Sequence, residues 1–233
     1  MGTFNELWLD ETIDYRGAVQ FKFGECRQYE YRLGDTIIPD KDVRSSSGVA
    51  RVLGIGGDGP SSWRHYVITF TDGVITACEE ISDQQADDMT WMERAIEVAL
   101  GNLGKTAPNP VVGCVIVKDG VVLAQAATAP GGRPHAEEQA LVGVDARGAT
   151  AYVTLEPCGE RSTGAASCSL RLVEAGIARV VIACEDPSPF ASGQGIERLK
   201  GAGVAITSGT LCDEAWKALE YQRWKEGVNP GGA

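Results

Sequence analysis

One histidine, one glutamate and two cysteines carry the chemistry that this sequence can do. His135 stands two residues before Glu137, in Pro134-His135-Ala136-Glu137, and 23 residues before Cys158, which closes Leu155-Glu156-Pro157-Cys158. Cys168 follows ten residues later. Imidazole nitrogen and thiolate sulfur are donors that zinc prefers, and three protein ligands leave the fourth corner of a tetrahedral shell open. His135, Cys158 and Cys168 are therefore the expected zinc ligands. Glu137 is expected to reach water at the open corner rather than the ion. Zinc brings the pKa of water close to neutrality, and a carboxylate beside it can take the proton and return it to a departing amine. Each piece alone is commonplace, since a lone helical histidine is usually structural and buried cysteines are usually core. The conjunction is not, in a chain with 2 histidines. The other, His65, lies inside a strand-like run without ligand company and is expected to be packed or hydrogen-bonded.

Those residues need a scaffold, and the pattern from Met89 onward supplies one. Thr90 can cap a helix whose apolar positions Met92, Ala95, Ile96 and Ala99 recur at helical spacing. Gly101 to Pro110 reads as a loop. Val111–Val117 and Val121–Ala126 read as a hairpin around Lys118-Asp119-Gly120. His135–Val142 is expected to be helical, Ala151–Leu155 a strand, Leu170–Ala175 a helix and Val180–Cys184 a strand. Ile196–Lys200 (helix), Val204–Thr207 (strand) and Asp213–Trp224 (one helix) complete the series. Strands alternating with helices after a hairpin predict a mixed sheet with helices on its faces. The metal residues then sit at the start of a helix (His135, Glu137) and between a strand end and the next helix (Cys158, Cys168).

Residues 1 to 82 differ. Val19, Phe21 and Phe23 alternate with polar residues, as do Tyr29, Tyr31 and Leu33. Residues 49–53 and 65–70 are further strand candidates, and Thr71-Asp72-Gly73 is a tight turn into 74–78. This predicts a small, mainly antiparallel β module. Asp83-Gln84-Gln85-Ala86-Asp87-Asp88 is expected to be an acidic connector, so that the chemistry belongs to residues 89–233. Gly54-Ile55-Gly56-Gly57-Asp58-Gly59 matches a dinucleotide-binding pattern. That pattern requires a helix for the pyrophosphate, and Pro60-Ser61-Ser62-Trp63 leads into another strand instead. A hairpin loop is the expectation.

Composition narrows the partners. A net charge of -11, from 21 basic and 32 acidic residues, repels phosphate backbones, and no Lys/Arg cluster offsets it. Nucleic acid is thus an unfavourable substrate and a small molecule the favoured one. No apolar run is long enough to span a membrane. The first residues lack the basic start and apolar stretch of a secretory signal. A cytoplasmic location is expected, where most of the 7 cysteines would be thiols rather than disulfides.

Thr106-Ala107-Pro108-Asn109-Pro110-Val111-Val112-Gly113-Cys114, Gly132-Arg133-Pro134-His135-Ala136-Glu137 and Ala151-Tyr152-Val153-Thr154-Leu155-Glu156-Pro157-Cys158 stand in order along the second region. Ala175-Gly176-Ile177-Ala178-Arg179-Val180-Val181, Asp186-Pro187-Ser188-Pro189 and Gly193-Gln194-Gly195-Ile196 follow. The H-x-E … P-C core is a signature of zinc deaminases. In this set of phrases residues 89 to about 225 resemble the deaminase domain of bacterial riboflavin biosynthesis, within the cytidine-deaminase-like superfamily. The resemblance implies a three-layer α/β/α fold and hydrolytic removal of an exocyclic amine from a phosphoribosyl-bearing diaminopyrimidine. It also implies that Asn109 hydrogen-bonds the substrate, that the loop from Asp186 lies near the phosphoribosyl tail, and that the protein is a homo-oligomer. For Glu156 two roles stay open: facing the substrate ring, or satisfying backbone donors.

The sequence departs from that family at three places. Thr128 stands where the family usually has histidine, seven residues before His135. Glu160 replaces another histidine, two residues after Cys158, and the segment to Cys168 is one residue longer. A carboxylate near a phosphate costs binding unless Arg161 supplies charge. Thr128, Glu160 and Arg161 are accordingly candidate substrate contacts. The third departure is that no reductase-length segment follows; any reduction is expected on another protein. The expected function is deamination of the riboflavin-pathway pyrimidine. The alternatives are deamination of another amino-pyrimidine, purine or pterin, and a catalytically idle binding or scaffold subunit.

Overall fold

The computed structural model describes residues 5–8, 18–21, 30–32, 34–36, 48–55, 63–161, 164–187 and 193–227. The chain divides into two compact units between Asp87 and Asp88.

In the first unit β1 (Asn5–Trp8), β2 (Ala18–Phe21) and β3 (Glu30–Arg32) form a sheet in the order β2-β1-β3. Its β1–β2 pair is antiparallel and its β1–β3 pair parallel. β1 was not expected, because Asn5-Glu6-Leu7-Trp8 has neither alternation nor a β-branched residue. A second sheet, antiparallel throughout, joins β4 (Gly48–Ile55), β5 (Trp63–Thr71) and β6 (Val74–Ile81). The β5–β6 turn uses Asp72 and Gly73 with φ of 49° and 78°, the left-handed pair that matches strand twist. On β5, Tyr66, Ile68 and Phe70 are buried, the period-2 pattern of a half-buried strand. His65 lies on β5 with Nε2 3.8 Å from the exposed Asp83 carboxylate. Gly54 and Ile55 belong to β4, and β5 follows as a strand. The intervening residues 56–62, like Phe23, Tyr29 and Leu33, lie outside the described residues.

The second unit is a three-layer α/β/α domain. Its elements are α1 (Asp83–Leu100, beginning in the first unit), β7 (Gly113–Lys118), β8 (Val121–Ala127), α2 (Ala136–Ala140), β9 (Thr150–Leu155), α3 (Cys168–Glu174), β10 (Arg179–Cys184), α4 (Gln194–Gly201), β11 (Ala205–Ser208), α5 (Cys212–Ala218) and α6 (Tyr221–Lys225). The sheet order is β11-β10-β9-β7-β8, with β7 antiparallel to both neighbours and the remaining pairs parallel. Along β7, β9 and β10 successive residues are buried on both faces, as a sheet covered by helices on either side requires.

Two expectations are corrected. The acidic stretch 83–88 is not an irregular connector but the first turns of α1, so Thr90 lies inside the helix and does not cap it. Ser82 stands just before it, its hydroxyl accepting from the Gln85 amide while the Gln85 side chain returns to the Ser82 amide; this is a capping box. Asp88, the last residue of that stretch, is 3% exposed. It takes a fork of hydrogen bonds from Arg179 at 2.7 and 2.5 Å, with Tyr152 Oη donating to it as well, so the buried carboxylate has strong partners. The final helix is two. Glu220 takes φ 51° between α5 and α6. That turn lets Leu219 and Tyr221, which a continuous helix would point in nearly opposite directions, both be fully buried.

Candidate metal centre and the cavity around it

His135 is the residue before α2, in extended conformation, and its side chain does not cap the helix. Gln139 holds that start in place by donating to the carbonyls of Ala127 and Pro134. Cys158 lies three residues beyond β9, and Ser169 clasps its carbonyl through both amide (3.2 Å) and hydroxyl (3.0 Å). Cys168 opens α3, capped by Ser167, whose hydroxyl accepts from the Leu170 amide at 3.3 Å. Arg198 of α4 ties the two flanks of the intervening loop, donating to the Gly159 carbonyl and to the Ser167 and Ser169 hydroxyls.

These anchors bring His135 Nδ1 to 3.9 Å from Cys158 Sγ and 3.4 Å from Cys168 Sγ. All three ligand atoms lie within 4.8 Å of one another. Bonds of about 2.0–2.3 Å meeting at tetrahedral angles at zinc separate ligand atoms by about 3.5–3.8 Å, so the observed edges fit one ion. The donor set fits too: one imidazole nitrogen and two sulfurs. Two neighbouring groups favour negative sulfur. The Cys168 amide donates to Cys158 Sγ at 3.3 Å, and an Arg161 nitrogen lies 3.3 Å from Cys168 Sγ. The Cys168 thiol, together with His135 and that amide, holds Cys158 far below the usual thiol range. The same shared hydrogen bond, with burial, raises Cys168. A divalent ion binds sulfur as thiolate and displaces whatever protons its ligands still carry.

Glu137, 3% exposed, lies beside this triangle. Burial and then the negative Cys158 raise its carboxyl above the ordinary value, against the opposing pull of His135. That shift moves it toward the range where a carboxyl both accepts and returns a proton.

A cavity of about 280 Å³ opens over the triangle. Its lining includes His135, Glu137 and Cys158, together with Asn109, Thr128, Glu156, Glu160, Arg161 and Asp186, so the substrate contacts expected from sequence converge on one space. Their geometry differs from residue to residue. Asn109 donates through Nδ2 to the Gly132 carbonyl at 2.7 Å. Any side chain at Gly132, whose φ is 83°, would strike Asn109 and the Thr106 carbonyl. Thr128 is 2% exposed and its hydroxyl accepts from the Val112 amide at 3.0 Å. Glu156 accepts from the amides of Gly193, Gly195 and Ile196 at 3.1, 3.2 and 3.3 Å, satisfying the first turn of α4. A Cβ at Gly195 would collide with the Pro157 carbonyl, so glycine is what lets that turn close on Glu156. Asp186 is 9% exposed, and Glu160 is exposed at the cavity edge.

Arg161 does not stand ready for a phosphate. Its side chain is 4% exposed, and Nη1 pairs with Glu138 Oε2 at 2.8 Å while Nη2 meets Cys168 Sγ. Glu138 also binds Arg171 at 3.0 Å. Sequence reasoning missed Glu138, Arg198, Arg133 and Trp224, the last two of which line the cavity. Trp224 donates from Nε1 to the Pro108 carbonyl at 3.2 Å across 116 residues of chain. Arg133 could have been flagged from its place two residues before His135; the others come together only through tertiary contacts.

A mixed sheet bearing a His-Cys-Cys triangle, with a buried glutamate at the cavity floor, defines a cytidine-deaminase-like domain. Residues 85–184 match the family model described as the cytidine and deoxycytidylate deaminase zinc-binding region. The chain is 42% identical over 147 residues to riboflavin biosynthesis protein RibD of Haemophilus influenzae, covering 61% of this chain and 39% of that protein. It is 45% identical over 130 residues to RibD of Escherichia coli, covering 55% and 35%. A solved structure of Acinetobacter baumannii RibD superposes with a TM-score of 0.58 at 43% identity, over 62% of this chain and 41% of the other. A deaminase/reductase from Thermotoga maritima gives a TM-score of 0.57 at 39% identity, over 61% and 42%. This chain therefore spans well under half the length of these relatives, and the likeness falls on its second unit.

Proposed function

We propose that the protein is a zinc-dependent hydrolytic deaminase that removes the exocyclic amine from the phosphoribosylamino-diaminopyrimidine intermediate of riboflavin biosynthesis. One observation carries the reading: three ligand atoms within 4.8 Å of one another on the floor of a cavity that also holds the buried Glu137. His135 Nδ1 and the sulfurs of Cys158 and Cys168 would hold the ion, which when bound supplies a Lewis acid that acidifies water. Glu137 takes the proton of the attacking water and delivers it to the leaving amine; its raised carboxyl suits both transfers. Asn109, fixed by Gly132, presents its remaining polar atoms to the substrate, and Arg133 supplies positive charge at the cavity edge. Identities of 42–45% to RibD proteins support the pathway.

A second reading, an amine on another pyrimidine, purine or pterin, draws support from the cavity wall. Glu160 and Asp186 put carboxylates there, and Arg161 is engaged by Glu138 and Cys168. Ammonia release by the zinc-loaded chain decides between them: the proposal expects turnover of the phosphoribosylated diaminopyrimidine well above that of cytidine, guanine or pterin amines. Faster turnover of any of those overturns the substrate assignment, and a zinc-loaded chain that releases no ammonia from any of them overturns the reaction. A cytoplasmic homo-oligomer belongs to the same proposal; sedimentation of the purified chain as a monomer would remove that part.

A further inference from the structure

Away from the metal triangle a second pair of sulfurs meets. Cys184 ends β10 and is 1% exposed; Cys212 opens α5 and is half-buried. Their Sγ atoms stand 2.7 Å apart, and the Cys184 thiol also lies 3.1 Å from the Cys212 carbonyl. The backbone around them is already fastened: Ile182 O accepts from the amides of Gly209 and Thr210, and Cys184 O accepts from the Glu156 amide. Neither cysteine belongs to the metal set or lines the cavity. Both, however, border elements that do. Glu156 and Asp186 flank Cys184, and α5 leads to α6, which sends Trp224 to the cavity wall.

We propose that Cys184 and Cys212 form a dithiol site that oxidises to an intramolecular disulfide, pinning α5 and the Trp224 wall to β10. The approach of the sulfurs leaves them about 0.7 Å from the bond length of about 2.05 Å, and the two residues already face one another. A low-molecular-weight disulfide is the oxidant. The Cys212 sulfur, the more accessible one, attacks it as thiolate, forming a mixed disulfide and releasing one thiol. The Cys184 sulfur then displaces the second thiol and forms the Cys184–Cys212 bond. Two electrons pass to the oxidant, and the two protons leave on its two product thiols. Burial pushes the Cys184 thiol up, which fits the resolving rather than the attacking position. The inference is independent of which amine the enzyme takes.

The test uses the full zinc-loaded chain, in which Cys158 and Cys168 are occupied, incubated with oxidised glutathione. Free thiols are then alkylated and peptides mapped by mass spectrometry. The expected product is one linked peptide pair, Cys184 to Cys212, two hydrogen masses lighter than the separate peptides, with zinc content unchanged. Oxidised protein should melt about 5–10 °C above reduced protein, and Cys212→Ser should show neither linkage nor shift. Cys184→Ser should stop at a glutathione adduct on Cys212. Should that core variant fail to fold, Cys212→Ser alone decides the matter. Recovery of both thiols in alkylated form, stable glutathione adducts on the native chain, or linkage of either cysteine to another partner would overturn the proposal.

Discussion

The floor and the walls of the cavity are built differently. The floor sits at the ends of regular elements: the start of α2 for His135 and Glu137, three residues past β9 for Cys158, the start of α3 for Cys168. Two of these points are held by side chains: Ser169 clasps the Cys158 carbonyl, and Ser167 caps the first turn of the helix that Cys168 opens. The walls come mostly from loops, with Pro108 to Pro110, Thr128, Arg133, Glu160, Arg161 and Asp186, and with Trp224 of α6. Reaction type is written on the floor, where the residues match the zinc-deaminase pattern throughout. On the walls Thr128 and Glu160 stand where the riboflavin-biosynthesis deaminases usually carry histidine, and the proposed function places substrate choice there. A loop can change its side chains without disturbing a metal site, because the geometry of that site is fixed elsewhere.

The largest effects should come from the floor. Cys158→Ala is expected to drop bound zinc from one equivalent to under a tenth, and deamination by more than about a thousandfold. Elemental analysis beside an ammonia assay checks it; a variant that retains a full equivalent would mean the ion is held elsewhere. Glu137→Ala should split these two readouts. Zinc stays, because the carboxylate is not a ligand, while turnover falls about 10²–10⁴-fold. Loss of zinc in that variant would make Glu137 part of the metal shell and erase the distinction between holder and proton carrier.

Much of this floor was legible in the sequence because zinc chemistry is narrow. Few residue types ligate zinc in a protein, and His135 with Glu137, Cys158 and Cys168 fall at strand and helix ends that hydrophobic periodicity can find. The mixed sheet was legible because β7, β9 and β10 are largely apolar runs. What was not legible depends on partners far along the chain. Asp88 reads as part of an acidic connector until Arg179 and Tyr152 are seen beside it. Trp224 reads as a residue of a single long helix until Glu220 breaks that helix. Arg161 reads as a free cation for a phosphate until Glu138 and Cys168 claim it, and Glu156 could not be assigned between ring and backbone until the amides of α4 were seen to point at it.

Between floor and wall stands Arg161, and its variant shows which side it serves. Arg161→Gln removes the positive partner of Cys168 Sγ and leaves Glu138 with Arg171 alone. A residue that supports a ligand typically changes metal affinity about 10–100-fold, and that weakening is expected in competition with a zinc-chelating dye. If Arg161 instead serves the substrate, zinc affinity will hold and only KM will rise.

Glu156 should give the smallest effect, and one on stability rather than chemistry. Its two oxygens accept three amides at the start of α4. Glu156→Gln keeps shape but replaces one acceptor by an NH₂ facing backbone N–H groups, leaving at least one donor unpaired in a site 3% exposed. The cost is about 1–3 kcal/mol, or a fall in Tm of roughly 2–10 °C for a chain of this size. Since Arg198, on the same helix, holds Gly159, Ser167 and Ser169, a loosened α4 should also quicken zinc release in a chelator chase. KM for the substrate should change little. A large rise in KM with Tm unmoved would reassign Glu156 to the substrate ring and move it from the supporting frame to the wall.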